Sequence, residues 1–259
     1  MRIPPILGVA IHLLRLYQHR RFWNRYGWLS ARTRGKKSTG EMPGDYADLL
    51  NPEKALIFRI THRDNIPWIL ANGLHARNGR LTDPNFRPIG NRDLIKKRID
   101  HPVPAGPFGT LSDYIPFYFT PFSMMLFNIK TGYNGVPHVP NEEIVILVSS
   151  LRKLAMMNIE FVFCDQHAYL ATAEYFTDLG NLDRIDWPIL QNRDFERDNN
   201  DLGKTDRYQA EALVWKELPV EGILGICCFT EAVRDDLKAR ADELGCSTSI
   251  LKKAEWYFR

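Results

Sequence analysis

Long hydrophobic runs and paired cysteines are both missing from this chain of 259 residues. No apolar stretch approaches the ~20 residues that a membrane-spanning helix needs, which excludes a polytopic membrane protein and predicts no stable membrane partner. The four cysteines, Cys164, Cys227, Cys228 and Cys246, form no CxxC pair. They predict no disulfide framework, and they favour a protein of the reducing cytoplasm.

Short motifs for metals and nucleotides are missing as well. The seven histidines show neither HExxH nor HxxxH spacing, so no metal site is predicted. There is no GxGxxG and no GxxxxGK[ST], so the two common nucleotide-binding folds have no support. The composition, with 44% hydrophobic, 12% aromatic and 25% charged residues, is typical of a globular protein with a buried core.

Acidic residues are absent from the first 40 positions, which contain nine Lys and Arg side chains. The rest of the chain carries the other 25 basic residues against 31 acidic ones, so a mildly acidic body follows a basic arm. Three interpretations of the arm stay open: a contact for nucleic acid or an anionic membrane, a partly helical appendage, or a true start at Met42. We therefore divide the chain into a basic N-terminal extension and linker, 1–50, and one domain, 51–259.

The body mixes strands and helices without regular alternation. The predicted strands are short apolar runs, at 55–61, 115–120, 143–149, 161–164 and 223–229. The predicted helices run from an N-cap at Asp64 to Asn72, and over 93–99, 168–179 and 231–244. Polar segments at 75–92 and 192–207 predict long loops, which usually serve function. This order favours an α+β fold over a doubly wound sheet.

The segment 209–214, QAEALV, is ambiguous. Its composition favours a helix, whereas its alternation of side chains also suits a strand. On a strand, Gln209 and Glu211 project from one face, two residues apart. The charged loop before them would deliver a carboxylate into a sheet edge, where it is well placed to meet a substrate.

Several blocks of the sequence, in the same order, resemble the DarT family of DNA ADP-ribosyltransferases, the toxins of a toxin–antitoxin system. The resemblance runs from about Leu56 to Phe258 and leaves the first 50 residues outside it. The blocks are RITHRDNIPWIL (59–70), IGNRDLIKKR (89–98), GTLSDYIPFYFTPFSMM (109–125), ILVSSL (146–151), FVFCDQHAYL (161–170), LDRIDWPIL (182–190) and RYQAEALV (207–214).

The resemblance implies an ADP-ribosyltransferase fold, in which a split, mainly antiparallel sheet with flanking helices clamps NAD. It implies that NAD is the ADP-ribose donor, that no metal takes part, and that nicotinamide is released. A base in single-stranded DNA is the implied acceptor. The implied partner besides DNA is a macrodomain antitoxin that removes ADP-ribose.

The resemblance also assigns roles to residues. Glu211 in RYQAE and Arg98 in IKKR match the catalytic glutamate and arginine. The residues implied in binding NAD are Arg59, Ile60, Thr61, Trp68, His75 and Arg98. Those expected to contact DNA are His167, at the start of the substrate-recognising loop, and the aromatic residues Tyr114 and Tyr118. A carboxylate suits this chemistry because it stabilises the positive charge that develops on the ribose, and arginine suits it because it binds phosphate bidentately.

Two departures from the family pattern concern the target base. Many thymidine-modifying members have His where this chain has Arg59, and PRSPM where it has Pro121 to Met125. The second departure replaces an arginine by Phe122 at a position expected to line the cleft. Guanine is therefore favoured over thymine, since its N7 and O6 acceptors suit recognition by arginine.

Other function classes stay open on the residues. One is an ADP-ribosyltransferase that modifies RNA or protein, or a plain NAD glycohydrolase. Another is a nucleic-acid-binding module without catalysis, built on the basic arm and the aromatic residues. The intact RYQAE and IKKR motifs argue against the module.

Overall fold

The computed structural model describes residues 46–259. The expectations for the basic arm and for Met42 concern residues outside this range. The described residues contain ten strands: β1 (Leu56–His62), β2 (Leu74–His75), β3 (Tyr114–Tyr118), β4 (Ile144–Ser150), β5 (Phe161–Cys164), β6 (Tyr175–Phe176), β7 (Glu211–Trp215), β8 (Glu217–Leu218), β9 (Gly225–Cys228) and β10 (Ser249–Lys252). Every strand predicted from the sequence is present, with its ends displaced by two residues at most.

The helices of the described part of the chain are short. The α-helices are α1 (Ile66–Asn72), α2 (Arg92–Lys97), α3 (Met124–Thr131), α4 (Leu151–Met156), α5 (Trp187–Gln191), α6 (Lys204–Arg207) and α7 (Glu231–Glu243). The 3₁₀ turns are Arg63–Asn65, Leu111–Asp113, Tyr133–Gly135, Asn141–Glu143, Leu179–Arg184, Val220–Gly222 and Ala254–Trp256. Within residues 46–259, none of the helices combines the length and hydrophobicity needed to span a membrane.

One sheet of eight strands organises the described residues, in the order β10-β9-β4-β1-β3-β7-β5-β6. Every neighbouring pair in it is antiparallel except β9 and β10, and β2 pairs with β8 in a separate two-stranded sheet. At its centre β4 (IVILVSS) is buried along its whole length, as a continuous apolar run predicts. The predicted α+β class is confirmed.

The sheet opens between β1 and β3. Seven residue pairs join β1 to β4, but a single pair, Phe58 with Tyr118, joins β1 to β3. Beyond Phe58 the two strands separate, so Arg59, Ile60 and Thr61 lie where one half of the sheet leaves the other. This geometry is the split, mainly antiparallel sheet that the family resemblance implies.

Two predictions of local structure are wrong. The helix expected over 168–179 is absent, because this segment turns and then forms β6 against β5. Gln209 does not share a strand face with Glu211: β7 begins at Glu211, and the Gln209 side chain donates back to the Thr205 carbonyl in α6. The helical signal corresponds to α6 and the turn that follows it. The alternation corresponds to β7.

Helix α1 begins later than predicted and ends at the predicted residue. Asp64 is not the N-cap, because a 3₁₀ turn precedes α1 and the His62 ring accepts a hydrogen bond from the Asp64 amide. Gly73 ends the helix with φ +80°, and a Cβ there would stand 2.6 Å from the Leu218 carbonyl oxygen. The close approach to β8 therefore requires glycine at this position.

Phe122 lies in the core, which corrects the expectation that it lines the cleft. It is 0% exposed. Its ring centroid lies 4.8 Å from that of Tyr46, and the guanidinium carbon of Arg193 lies 4.0 Å above it. Its carbonyl accepts a hydrogen bond from the Tyr208 hydroxyl. Phe122 therefore stabilises the fold and presents no surface to a ligand.

Replacing Phe122 with alanine should lower the free energy of unfolding by about 3–5 kcal/mol, because the change leaves a cavity among aromatic rings. Phe86, which is 47% exposed, is the matched control, and Phe86→Ala should change stability by less than ~0.5 kcal/mol. Urea unfolding followed by tryptophan fluorescence measures both. Equal effects of the two substitutions would contradict the assignment of Phe122 to the core.

Candidate active site

Glu211 begins β7 and is 0% exposed. It lies opposite Tyr118 of β3 on one side and Cys164 of β5 on the other. Opposed residues of antiparallel strands share a face, so these three side chains lie on one face of the sheet. The expectation of a carboxylate at a sheet edge is therefore wrong, because β7 is an interior strand and Glu211 is enclosed.

Arg98 reaches this carboxylate from the end of α2. Asn91 caps the first turn of α2 by accepting from the Asp93 and Leu94 amides, and Arg98 follows the last turn. The two terminal nitrogens of its guanidinium donate to the two oxygens of Glu211, at 2.9 and 2.8 Å. The neighbouring Lys96 and Lys97 are exposed instead. The fold thus directs Arg98 into the site and leaves Lys96 and Lys97 in solvent.

The pair keeps Glu211 ionised. Burial alone would raise the pKa of Glu211, but the attraction of Arg98 and the hydrogen bonds from Arg98 and the Ala168 amide hold it below its ordinary value of 4.5. Burial alone would lower the pKa of Arg98, and Glu211 raises it above the ordinary value. Because the folded pKa of Glu211 is depressed, its contribution to stability is complete above pH 4.5 and is lost as the pH falls through the folded value.

His167 adjoins Glu211 without donating to it from the near nitrogen. Its Nδ1 lies 3.4 Å from a Glu211 oxygen, but the same nitrogen accepts a hydrogen bond of 3.1 Å from the Tyr169 amide. An accepting nitrogen carries no proton, so the tautomer that fits has its proton on Nε2. His167 therefore orders the turn whose Ala168 amide holds Glu211.

Arg59 bridges the opening in the sheet. Its Nη1 donates to the carbonyl of Pro116 in β3 at 2.9 Å, at a level where the β1–β3 ladder has ended. Its Nε is buried and has no hydrogen-bond partner among residues 46–259. Burial lowers the pKa of Arg59 to about 10. An unpaired donor inside the cleft favours a polar ligand there, since buried donors are usually satisfied.

Thr61 belongs to a network that fastens the loop 77–91. Its hydroxyl accepts from the Asn65 amide at 2.9 Å, and Asn65 is 1% exposed. Asn65 also exchanges two hydrogen bonds with the backbone of Arg87, at 2.9 and 2.8 Å. The Thr61 side chain is thus engaged with the protein, and Ile60 is only partly buried beside it.

Trp68 and His75 form a separate group. Their rings meet edge to face, with centroids 5.6 Å apart. His75 Nε2 lies 3.0 Å from the Asn72 carbonyl, and its buried Nδ1 has no hydrogen-bond partner in the described residues. No hydrogen bond, ion pair or ring contact within residues 46–259 joins these two side chains to Arg98 or Glu211.

The aromatic residues of β3 divide between core and site. Tyr114, expected to contact DNA, is 2% exposed; its ring packs on Trp215 and its hydroxyl donates to the Phe108 carbonyl at 2.7 Å. That expectation is wrong, because no face of the ring is free to stack. Tyr118 remains on the site face beside Glu211, and burial raises its pKa above the ordinary value.

Unpaired positive charge is concentrated in the segment that leads to Arg98. Six exposed basic side chains lie between His75 and Arg98 in the chain; Arg87 pairs with Asp64, and the other five are Arg77, Arg80, Arg92, Lys96 and Lys97. Within the described residues none of these five forms an ion pair. Such a group favours a polyanion, whereas the paired charges of 192–207, such as Arg207 with Asp201 and Lys204 with Asp194, are structural.

Some site groups carry no sequence signal of their own. The Ala168 amide and the Pro116 carbonyl are backbone atoms, and Asn65 is one asparagine among many. Cys164, fully buried opposite Glu211, has its pKa raised by burial and is an unreactive thiol in the site wall. Within residues 46–259 no three His, Cys, Asp or Glu side chains group as metal ligands.

Comparison with known proteins places this chain in a family. The DarT family, described as ssDNA thymidine ADP-ribosyltransferase, matches residues 58–258. A DNA ADP-ribosyl transferase of Escherichia coli O127:H6 is 54% identical over 217 residues, which cover 84% of this chain and 100% of the relative. One from Thermus sp. strain 2.9 is 36% identical and covers 72% of this chain and 87% of the relative.

Solved structures agree. Thermus sp. 2.9 DarT in complex with ADP-ribosylated ssDNA superposes with a TM-score of 0.73 at 30% identity, over 80% of this chain and 98% of the other. The same protein in complex with NAD+ superposes with a TM-score of 0.67 at 31% identity, over 80% and 99%. The chain therefore belongs to the DarT family and is an NAD-dependent DNA ADP-ribosyltransferase.

Proposed function

We propose that this enzyme transfers ADP-ribose to thymidine in single-stranded DNA, with Glu211 and Arg98 as its catalytic residues. The observation that carries the proposal is the buried, bidentate Arg98–Glu211 pair beside the opening of the sheet. Buried and specifically paired ionisable groups in a cleft are typical of functional sites. The catalytic domain is proposed to span 51–259, which contains the family match.

The chemistry follows from the ionised state of Glu211. When bound, NAD supplies a nicotinamide leaving group, and positive charge develops on the ribose as that bond breaks. A buried carboxylate stabilises this charge far better than water does, because its local dielectric is low and its position is fixed. The depressed pKa makes Glu211 a charged group at every physiological pH, and hence an electrostatic stabiliser more than a strong base.

Arg98 holds Glu211 and keeps donors in reserve. A guanidinium has five N–H donors, and Glu211 takes two of them. The remaining donors suit a pyrophosphate oxygen or a carbonyl of the target base. We propose that Arg59, with its unpaired Nε, and the backbone of Ile60 and Thr61 bind NAD in the opening, with Trp68 and His75 at a more distant part of the cofactor.

DNA is proposed to lie along the exposed basic residues of 77–97, with Tyr118 and His167 at the target base. Phosphates neutralised by these side chains release counterions, so binding weakens as salt rises. Single-stranded DNA needs no flipping step before a base enters the site.

Thymidine is proposed as the target in place of the guanine expected from the sequence. The family description names thymidine. One of the two departures that favoured guanine, Phe122, lies in the core, and the other, Arg59, is held to β3 through Pro116. Phe122 therefore alters no surface that is free to select a base, and the free donor of Arg59 is assigned to NAD.

In the cell, the proposed role is that of a toxin acting in the cytoplasm, where NAD and DNA are both available. The implied counterpart is a macrodomain antitoxin that hydrolyses the bond between ADP-ribose and DNA. Support comes from the chemistry: modified bases persist unless a hydrolase removes the adduct.

Glu211→Gln should reduce transfer of ADP-ribose to a single-stranded oligonucleotide by roughly 10²–10⁴-fold, because it removes the charge while keeping the shape. Radiolabelled NAD and gel analysis measure the rate. Glu243→Gln, at the exposed end of α7, is the control and should keep the wild-type rate. Retention of more than a tenth of the rate by Glu211→Gln would remove Glu211 from the catalytic role.

Arg98→Lys should recover little of the activity lost in Arg98→Ala, since an ammonium cannot reproduce two parallel hydrogen bonds. Arg98→Ala should also lower the free energy of unfolding by about 3–5 kcal/mol, because it leaves Glu211 buried without its partner. Rates and urea unfolding are measured on both, with the exposed Arg240→Lys as control. Full activity in Arg98→Lys would show that only the charge matters.

The target base is decided by mass spectrometry of nucleosides released from a modified oligonucleotide. An ADP-ribose adduct is expected on thymidine, and an oligonucleotide lacking thymine should stay unmodified. An adduct on guanosine alone would overturn the proposal and restore the expectation drawn from the sequence.

A further inference from the structure

The segment 101–111 forms a rigid hairpin that connects the active site with β3. The Leu111 amide donates to the His101 carbonyl at 2.9 Å, and the Val103 amide donates to the Gly109 carbonyl at 2.9 Å. The base of the hairpin adjoins the site, because the His101 amide donates to the Arg98 carbonyl and its ring lies 4.7 Å from that of Tyr169. Its tip is the sequence GPFG, 106–109.

Phe108 projects from this tip into solvent. Phe108 is 61% exposed. Within residues 46–259, no aromatic ring and no cation contacts its phenyl ring. Its φ is +63°, in the left-handed region that a bulky residue adopts only at an energetic cost. Glycines with positive φ stand on either side of it, at Gly106 and Gly109. A glycine at 108 would remove the strain, so the phenyl ring has a use that outweighs it.

The protein fixes the backbone of Phe108 from below. The Tyr114 hydroxyl, buried in the core, donates to the Phe108 carbonyl at 2.7 Å. The Phe108 amide donates to the Ala105 carbonyl at 3.2 Å. Gly106 packs so closely on the sheet that a Cβ there would stand 2.6 Å from Val162. The backbone that carries the ring is therefore fixed, so it has little freedom to lose when the ring binds.

Positive charge lies beside the hairpin. The Asn78 amide donates to the Ser112 carbonyl at 3.0 Å, which fastens the segment 77–80 to the end of the hairpin. That segment carries the exposed Arg77 and Arg80. Rigid aromatic rings next to unpaired cations are the composition of surfaces that bind single-stranded nucleic acid.

We infer that Phe108 stacks on a base of the single-stranded DNA next to the modified nucleotide. This inference rests on the proposed DNA site. Phe108 lies three positions from Leu111 at the base of the hairpin, a span of up to about 10 Å, so the ring is placed for a neighbouring base and not for the target. The buried Tyr114, which makes no DNA contact of its own, is then the residue that positions Phe108.

Phe108→Gly tests this, because it removes the ring and relieves the backbone at once. Its KM for a single-stranded oligonucleotide should rise about 5- to 100-fold, the effect of losing one stacked base. The rate at saturating DNA and the KM for NAD should change less than about 3-fold, and Tm should stay equal or rise. Phe108→Trp should keep the wild-type KM, and Tyr133→Ala, which removes another exposed ring, should have no effect.

A fluorescent base reports the contact directly. Oligonucleotides carrying 2-aminopurine on either side of the target should lose fluorescence on binding the wild type at one position, and Phe108→Gly should abolish that loss. If Phe108→Gly leaves both the KM for DNA and the fluorescence quenching unchanged, the inference is overturned. The proposed function still stands in that case, provided that the wild-type enzyme labels DNA. Failure of the wild type to label DNA would instead refute the proposed function. Unchanged DNA kinetics with lost inhibition by a macrodomain protein would assign the ring to a protein partner, against the inference.

Discussion

The buried ion pair of Arg98 and Glu211 is the interaction on which the site depends. A carboxylate with no solvent exposure is tolerated only when its charge is matched and its oxygens accept hydrogen bonds. That requirement brings together three parts of the chain: the end of α2, the start of β7 and the turn that contains Ala168. Each is short, and none has a hydrophobic core of its own, so the pair and the sheet beneath it define their relative positions.

The opening of the sheet is likewise held by a few contacts between distant parts of the chain. One residue pair joins β1 to β3, and the ladder then ends. Arg59 spans the opening to reach the Pro116 carbonyl, while Thr61 and Asn65 fasten the loop 77–91 on the other side. A cleft is thereby kept between two halves of one sheet without a second domain. An unsatisfied donor remains in it at Arg59, where a ligand rich in oxygen fits.

Membership of the DarT family decides between the function classes that the residues left open. A nucleic-acid-binding module without catalysis and a transferase for RNA or protein give way to a DNA ADP-ribosyltransferase. The fold also explains why Phe122 misleads. Read as a departure from the family pattern, it looks like a change at the DNA surface. In the core, beside Arg193 and Tyr208, it is a packing residue that says nothing about the base.

The sequence by itself determined the strands of the sheet and the α+β class, and it predicted Glu211 and Arg98 as site residues. Short, β-branched apolar runs such as β4 favour a buried strand, and family motifs carry the two predicted site residues. Tertiary structure alone decided that Glu211 is enclosed, that Arg98 turns inward while Lys96 and Lys97 do not, and that Tyr114 is core. The separation of 113 positions between Arg98 and Glu211 explains this, since no local pattern encodes a contact between a helix end and a distant strand. Tertiary structure also decided the conformation of 168–179. Its composition favours a helix, but part of the segment pairs with β5 as β6. Local preference is worth tenths of a kcal/mol per residue, and the ladder and burial that the sheet provides outweigh it.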